Sequence, residues 1–121
     1  MSTDSHDSRY LWHMLEHATH VQYIVLGLDA DTYAESIQVR LAAERGLDIL
    51  SRAAERVSAP FKAAHPELPW QRIAALADTL AYPDGMPDDE LVWSFLRQDL
   101  PHLMESLEPL IGASTGDAAT E

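Results

Sequence analysis

The chain has 121 residues, no cysteine, and 20 acidic against 8 basic residues, which give a formal net charge of −12. This length suits a single hydrophobic core, and without cysteine the chain can form neither disulfides nor thiolate metal sites. RNA binding gains much of its affinity from neutralised phosphates, so this charge opposes it unless the arginines gather in one cleft.

The first eight residues are polar, and we expect residues 1–8 to form a disordered tail. They lack the apolar core of a signal peptide. No apolar run in the chain approaches the roughly 20 residues that a membrane span needs. We therefore expect a cytoplasmic protein without a membrane segment.

A first helix is predicted from residue 9 to about residue 26. Its apolar residues recur at helical spacing, at Leu11, Met14, Leu15, Ala18, Val21 and Val25. His13, His17 and His20 follow the same period and share one edge of the helix beside this stripe. Imidazoles at such spacing can bind Zn²⁺ or Ni²⁺. A surface edge without metal is the favoured interpretation, because no fourth ligand can be identified.

The longest predicted helix runs from about residue 36 to residue 58. One face consists of Val39, Ala43, Gly46, Leu50, Ala53, Ala54 and Val57, and four of these residues are Ala or Gly. Small residues let a neighbouring helix approach closely. We therefore expect this to be the central helix of a bundle.

The opposite face of this helix carries a mixture of apolar and basic residues, namely Leu41, Arg45, Ile49, Arg52 and Arg56. One interpretation is a solvated face with local ion pairs such as Asp48 with Arg52, each worth about a few tenths of a kcal/mol. The other is a dimer seam whose arginines border a binding cleft. Leu41 and Ile49 are apolar residues on an otherwise charged face, which favours the seam.

Further helices are predicted after Pro60. One begins at Pro69, buries a stripe at helical spacing, and ends at the turn Tyr82-Pro83-Asp84-Gly85; the stripe consists of Ile73, Leu76, Ala77 and Leu80. Another begins at Asp88 or Asp89 and extends to about residue 98. A last helical segment contains Pro101 in its first turn, with Asp99 as a candidate cap.

From Gly112 the composition predicts a second disordered tail, residues 112–121. The fold class predicted from these patterns is all-α, an up-and-down bundle of four to five helices over residues 9–111.

The order of several short segments resembles one protein family. They include Leu41-Ala42-Ala43-Glu44-Arg45, His65-Pro66-Glu67-Leu68-Pro69-Trp70, Glu90-Leu91-Val92-Trp93 and Asp99-Leu100-Pro101. From about residue 9 to residue 111 the chain resembles the HepT-like branch of the HEPN family. That resemblance implies a dimeric helical fold and a metal-independent ribonuclease toxin, paired with an MNT-type nucleotidyltransferase antitoxin. It implies no cofactor.

The family signature is an Arg, usually followed by Asn, with a His five residues after the Arg and often a Tyr two beyond the His. The resemblance places these positions at Ala77, Asp78, Tyr82 and Asp84, and all four depart from the signature. In the family the His is thought to handle the proton of the RNA 2′-hydroxyl, while the Arg steadies the phosphate. An alanine methyl cannot bind phosphate, and a tyrosine with a pKa of roughly 10 is a poor base near neutrality.

These residues leave three hypotheses for the function. The favoured one is a HEPN/MNT-type protein that lacks ribonuclease activity and acts by dimerisation or by binding a nucleotidyltransferase partner. The second is an active ribonuclease in which Arg72 or Arg45, with His65 or His102, replaces the missing groups. The third is a metal-binding protein built on the three histidines of the first helix.

Overall fold

The computed structural model describes residues 5–81 and 87–119, and it describes side chains at 6–81 and 87–111. The helices are α1 (Ser5–Val25), α2 (Ala30–Glu35), α3 (Ile37–Arg56), α4 (Ala59–Ala64), α5 (Trp70–Leu80), α6 (Asp89–Ser94) and α7 (Leu100–Ala119). A π-helical turn, Phe95–Asp99, joins α6 to α7 without a break. No strand occurs in the described residues, which confirms the all-α prediction. In residues 5–81 and 87–119 the bundle has two short helices, α2 and α4, and four longer helical segments, of which the last consists of α6, the π-helical turn and α7.

Helices α1 and α3 form an antiparallel pair at the centre of the bundle. At the start of α1, Nε2 of His6 lies 2.9 Å from the carbonyl oxygen of Arg56 near the end of α3. Midway along the pair, a Cβ atom on Gly46 would collide with Cγ2 of Val21. The missing side chain therefore allows the close approach that the small-residue face predicts. Helix α3 also packs against α2 and α5, and α7 packs against α1.

Helix α1 begins at Ser5, four residues before the predicted start at Arg9. Asp7 is buried, and its carboxylate accepts hydrogen bonds from the backbone N–H and the hydroxyl of Ser58, at 2.8 and 2.7 Å. Ser58 is in turn the N-cap of α4, where its hydroxyl oxygen accepts from the N–H of Phe61. The sequence predicts a tail at residues 5–8, and this long-range contact explains why they are helical instead.

The C-terminal half also departs from the prediction at two points. Asp99 does not cap a helix, because it lies in the continuous π-helical turn and its carboxylate accepts a hydrogen bond from Arg72. Helix α7 continues to Ala119, past the predicted limit at residue 111. A glycine inside a helix costs only about 1 kcal/mol, so Gly112 does not end it. The predicted tails, 1–8 and 112–121, lie partly outside the described residues.

None of the described helices combines the length and the apolar character needed to cross a membrane.

Candidate functional site

Ala77, which the family resemblance places at the signature Arg position, lines a hollow of about 120 Å³ between α3, α4 and α5, which we call the Ala77 hollow. Its lining residues are Ser51, Ala54, Glu55, Lys62, Trp70, Ile73, Ala74, Ala77 and Asp78. Three of these are alanines on facing helices, and their short side chains leave the space. The hollow is therefore a product of the same small residues that bring α3 and α5 together.

Trp70 closes one end of the Ala77 hollow. Its indole Nε1 donates a hydrogen bond to the carbonyl oxygen of His65 at 2.9 Å, which fixes the ring at the start of α5. The ammonium of Lys62 lies 5.5 Å from the centre of the same ring, within cation–π distance. At the other end of α5, the backbone N–H of Asp88 donates to the hydroxyl of Thr79 at 2.7 Å. This bond ties the start of α6 to the end of α5.

The described lining of the Ala77 hollow lacks the groups of a ribonuclease centre. Its charged side chains are one cation, Lys62, and two carboxylates, Glu55 and Asp78, and it contains no imidazole. Ala77 offers only a methyl group where the family resemblance implies a guanidinium. The other two signature positions, Tyr82 and Asp84, lie outside the described residues.

Arg72, the candidate replacement for the missing Arg, is bound on the other side of α5. Its guanidinium donates to Oδ2 of Asp99 at 2.9 Å and to the hydroxyl of Ser94 at 3.1 Å. These bonds fasten α5 to the C-terminal helical segment. Arg72 does not line the Ala77 hollow.

His65 and His102, the candidate replacements for the missing His, both contact Glu67. Nδ1 of His65 lies 3.0 Å from the Glu67 carboxylate, and the ring stacks on Phe61 with centroids 4.3 Å apart. The hydrogen bond with His65 lowers the pKa of the Glu67 carboxyl. Nε2 of His102 lies 3.1 Å from the Glu67 carbonyl oxygen. Both histidines hold the connection between α4 and α5, and neither lines the Ala77 hollow.

The predicted seam on α3 is an exposed face with local ion pairs. Arg45 and Arg52 both bind the Asp48 carboxylate, at 3.1 and 3.2 Å. Leu41 is 59% exposed despite being apolar. This face therefore combines local ion pairs with an exposed apolar residue, the two features that the sequence predicts. The assignment of this face to a dimer seam stays a prediction.

A second and larger cavity, of about 340 Å³, lies between α1 and α3, and we call it the α1–α3 cavity. It is lined by Tyr10, His13, His17, Ile49, Arg52, Ala53 and Arg56. In the sequence, the histidines of α1 and the arginines of α3 belong to two separate helix edges. Their facing arrangement requires the antiparallel pairing of the two helices, which the local spacing of either series does not encode.

The α1 histidines do not form a metal site with other described residues. No group of three or more His, Asp or Glu side chains in the described part of the chain is arranged to hold a metal ion. His13 and His17 lie 3.8 and 4.0 Å from Glu16, and the ring of His17 packs edge-on against that of His20. The pKa of His17 is lowered, chiefly by burial, although Glu16 opposes the shift.

Comparison with known proteins gives one family. The model of the family described as "Ribonuclease HepT-like" matches residues 14–110. A "Probable ribonuclease HepT" of Thermococcus cleftensis is 30% identical over 73 residues, covering 60% of this chain and 66% of that protein. "Putative RNase MJ1380" of Methanocaldococcus jannaschii is 24% identical over 99 residues, covering 82% of this chain and 91% of that protein.

A third relative is "Putative RNase TTE0752" of Caldanaerobacter subterraneus subsp. tengcongensis, 22% identical over 102 residues. That alignment covers 84% of this chain and 91% of the relative. No solved structure matches the chain. Because the family model spans most of the chain and the described fold is helical throughout, the chain belongs to the HepT-like ribonuclease family.

Proposed function

We propose that this protein keeps the HepT-like helical scaffold, lacks the ribonuclease chemistry of its family, and acts by binding. The binding partners are a second copy of the chain and an MNT-type nucleotidyltransferase, within a toxin–antitoxin type pair. One observation carries the proposal. A methyl group, that of Ala77, lines the hollow at the position where the family resemblance implies a phosphate-binding guanidinium.

The expected loss of rate is large. Removing a proton-transfer group costs on the order of 10²–10⁴ in rate, and removing a charge-stabilising donor costs on the order of 10²–10³. Lys62, the cation that lines the described hollow, shares it with the carboxylates of Glu55 and Asp78. Two carboxylates repel an incoming phosphate, so Lys62 does not compensate for the missing Arg.

Exposed apolar residues support the association half of the proposal. Tyr23 is 80% and Leu26 is 68% exposed at the end of α1, while Ile37 and Leu41 are 54% and 59% exposed at the start of α3. Because α1 and α3 are antiparallel, these four residues lie at the same end of the pair, and we call them the apolar end patch. Several large exposed apolar residues at one end of a helix pair favour an interaction site there.

Restoring the signature tests the loss of chemistry. The double variant Ala77→Arg/Tyr82→His returns a guanidinium and an imidazole to the positions implied by the resemblance, and we expect it to cleave single-stranded RNA in EDTA. The matched control is Ala77→Gln/Tyr82→His, which has a long polar side chain without charge. If wild-type protein cleaves RNA as fast as the double variant, the proposal is wrong. A folded double variant without activity would contradict the assignment of the Ala77 hollow.

A further inference from the structure

Basic groups are scarce in this chain, and most of them already have partners. Three arginines form ion pairs, namely Arg40 with Asp89, Arg45 with Asp48 and Arg72 with Asp99. Arg9, Lys62 and Arg97 lie over the rings of Tyr10, Trp70 and Trp93. These contacts involve six of the eight basic residues. The remaining two, Arg52 and Arg56, both line the α1–α3 cavity, and Arg52 shares the carboxylate of Asp48 with Arg45.

The two arginines of the cavity retain donors for a ligand. Asp48 binds Arg52 through Nε, at 3.2 Å, which leaves the terminal amino groups of that guanidinium outside the pair. Arg56 makes no ion pair with any residue in the part of the chain that the structure describes. A guanidinium offers planar, paired N–H donors that match the oxygens of a phosphate group.

The opposite wall of the cavity comes from α1. His13 and His17 face the arginines across the cavity, and Tyr10 adds an aromatic ring. Each neutral imidazole can donate one N–H, so two histidines and two arginines bring potential donors to one cavity. Ile49 and Ala53 supply the apolar part of the lining. The lining contains no carboxylate, but two carboxylates contact its donors from outside the cavity. Glu16 lies near His13 and His17, and Asp48 accepts from Nε of Arg52.

Charge and size decide which anion this cavity suits. A long polyanion such as RNA would extend from the cavity over a surface with a net charge of −12, which repels it. A small anion stays near the four donors, and charges beyond a Debye length of about 8 Å are largely screened from it. The volume of about 340 Å³ lies at the lower end of the range for small-molecule sites.

We infer that the α1–α3 cavity is a binding site for a small phosphate-bearing anion no larger than a mononucleotide, held by Arg52 and Arg56 with donors from His13 and His17. Free inorganic phosphate and the phosphate group of a nucleotide share this chemistry. The inference concerns a different part of the molecule from the Ala77 hollow and does not depend on whether that hollow is catalytic.

Titration followed by heteronuclear NMR tests this site. Inorganic phosphate and uridine 5′-monophosphate are added separately to full-length ¹⁵N-labelled protein at constant ionic strength, with chloride as the reference anion. We expect saturable shifts at the amides of the cavity residues and at least tenfold weaker binding in the variant Arg52→Gln/Arg56→Gln. Both arginines are exposed, so this variant should keep its fold. Tighter binding of uridine 5′-monophosphate than of phosphate would identify a nucleotide as the ligand.

The control variant, Gln71→Glu/Gln98→Glu, lowers the net charge by the same amount at exposed sites away from the cavity and should bind phosphate as wild-type protein does. Equal weakening in both variants would show a general charge effect and overturn the inference. So would the absence of saturable shifts at the cavity. An unphosphorylated RNA oligonucleotide that binds more tightly than uridine 5′-monophosphate through the same arginines would also overturn it, in favour of an RNA site.

Discussion

At the scale of single residues, Tyr33 has an unusual environment for a phenol. It is 2% exposed, its ring lies against Trp93 with centroids 5.1 Å apart, and its hydroxyl has no hydrogen-bond partner among the described residues. Burial, and then the nearby carboxylates of Glu44 and Asp89, raise the pKa of Tyr33 to about 12. The folded state therefore strongly favours the neutral phenol.

The raised pKa of Tyr33 predicts a loss of stability in alkali. An unfolded Tyr ionises near pH 10, whereas Tyr33 in the folded protein stays neutral to about pH 12. The free energy of unfolding is therefore unaffected by this ionisation below pH 10 and falls as the pH rises from 10 to 12. Two pKa units correspond to about 3 kcal/mol. Urea unfolding at pH 9 and pH 11.5 should show the loss in wild-type protein and a smaller loss in Tyr33→Phe.

The same variant should be slightly more stable than wild-type protein at pH 8, by about 1 kcal/mol, because it removes a buried hydroxyl without a partner. Tyr23→Phe is the control, since Tyr23 is exposed and its substitution should change neither result. A Tyr33→Phe variant with the same alkaline loss as wild-type protein would contradict this view of Tyr33.

Asp7 illustrates a polar residue that stabilises the fold from a distance. Its carboxylate accepts two hydrogen bonds from Ser58, the N-cap of α4. Asp7→Asn keeps the shape but removes the charge and one acceptor. We expect its free energy of unfolding to fall by about 1 to 3 kcal/mol. Chemical denaturation measures this free energy. The control variant Asp31→Asn, on the exposed first turn of α2, should change the free energy of unfolding little. Equal stability of the two variants would contradict the role of Asp7.

At the scale of helices, the approach of α1 to α3 depends on Gly46. Replacing a glycine inside an exposed helix by alanine ordinarily stabilises it by up to about 1 kcal/mol. Here the new Cβ would collide with Cγ2 of Val21, a short branched side chain that is fully buried. Steric conflict in a packed core outweighs the gain in helix propensity.

We therefore expect Gly46→Ala to lower the free energy of unfolding by about 1 to 3 kcal/mol. The double variant Gly46→Ala/Val21→Ala should be less destabilised than the sum of its single variants, since Val21→Ala removes the colliding methyl groups. Ala42→Gly, on the exposed side of α3, reports helix propensity alone. Additive effects in the double variant would show that the two residues do not compete for the same space.

Local patterns predicted the helices better than the contacts between them. The apolar spacing of Ile73 and Leu76 on α5 identified a buried stripe, because the helical period is written into neighbouring residues. The bond between Asp7 and Ser58 spans 51 positions, and the bond between Arg72 and Asp99 spans 27. No local period encodes such pairs. For this reason the early start of α1 and the hydrogen bond between Arg72 and Asp99 are seen only in the folded structure.

The candidate site shows the same difference between local patterns, which the sequence reveals, and contacts between distant residues, which it does not. The signature positions follow from a linear motif, so Ala77 could be assigned from sequence, and the structure places it in a hollow. The α1–α3 cavity combines His13 and His17 with Arg52 and Arg56, from helices whose pairing and direction the two sequences do not specify separately. The signal available in the sequence was the helical spacing within each pair, His13 with His17 and Arg52 with Arg56.

At the scale of the whole molecule, the apolar end patch predicts self-association. Ile37→Glu/Leu41→Glu places two charges in the patch, and burying a charge at an interface is costly. Light scattering after size exclusion should show wild-type protein at about twice the chain mass of 13.5 kDa and this variant at the chain mass. The control is Gln71→Glu/Gln98→Glu, which adds the same charge at exposed sites elsewhere. Monomeric wild-type protein would contradict the prediction.

Cleavage of RNA by the purified wild-type protein, followed in EDTA with a fluorescent single-stranded substrate, most directly tests whether this HepT-like scaffold lacks the nuclease chemistry of its family. Because the family resemblance places Ala77 at the position of the Arg, we predict a rate no higher than that of the buffer alone. Metal-independent cleavage that is lost on Tyr82→Phe or His65→Ala would contradict the account.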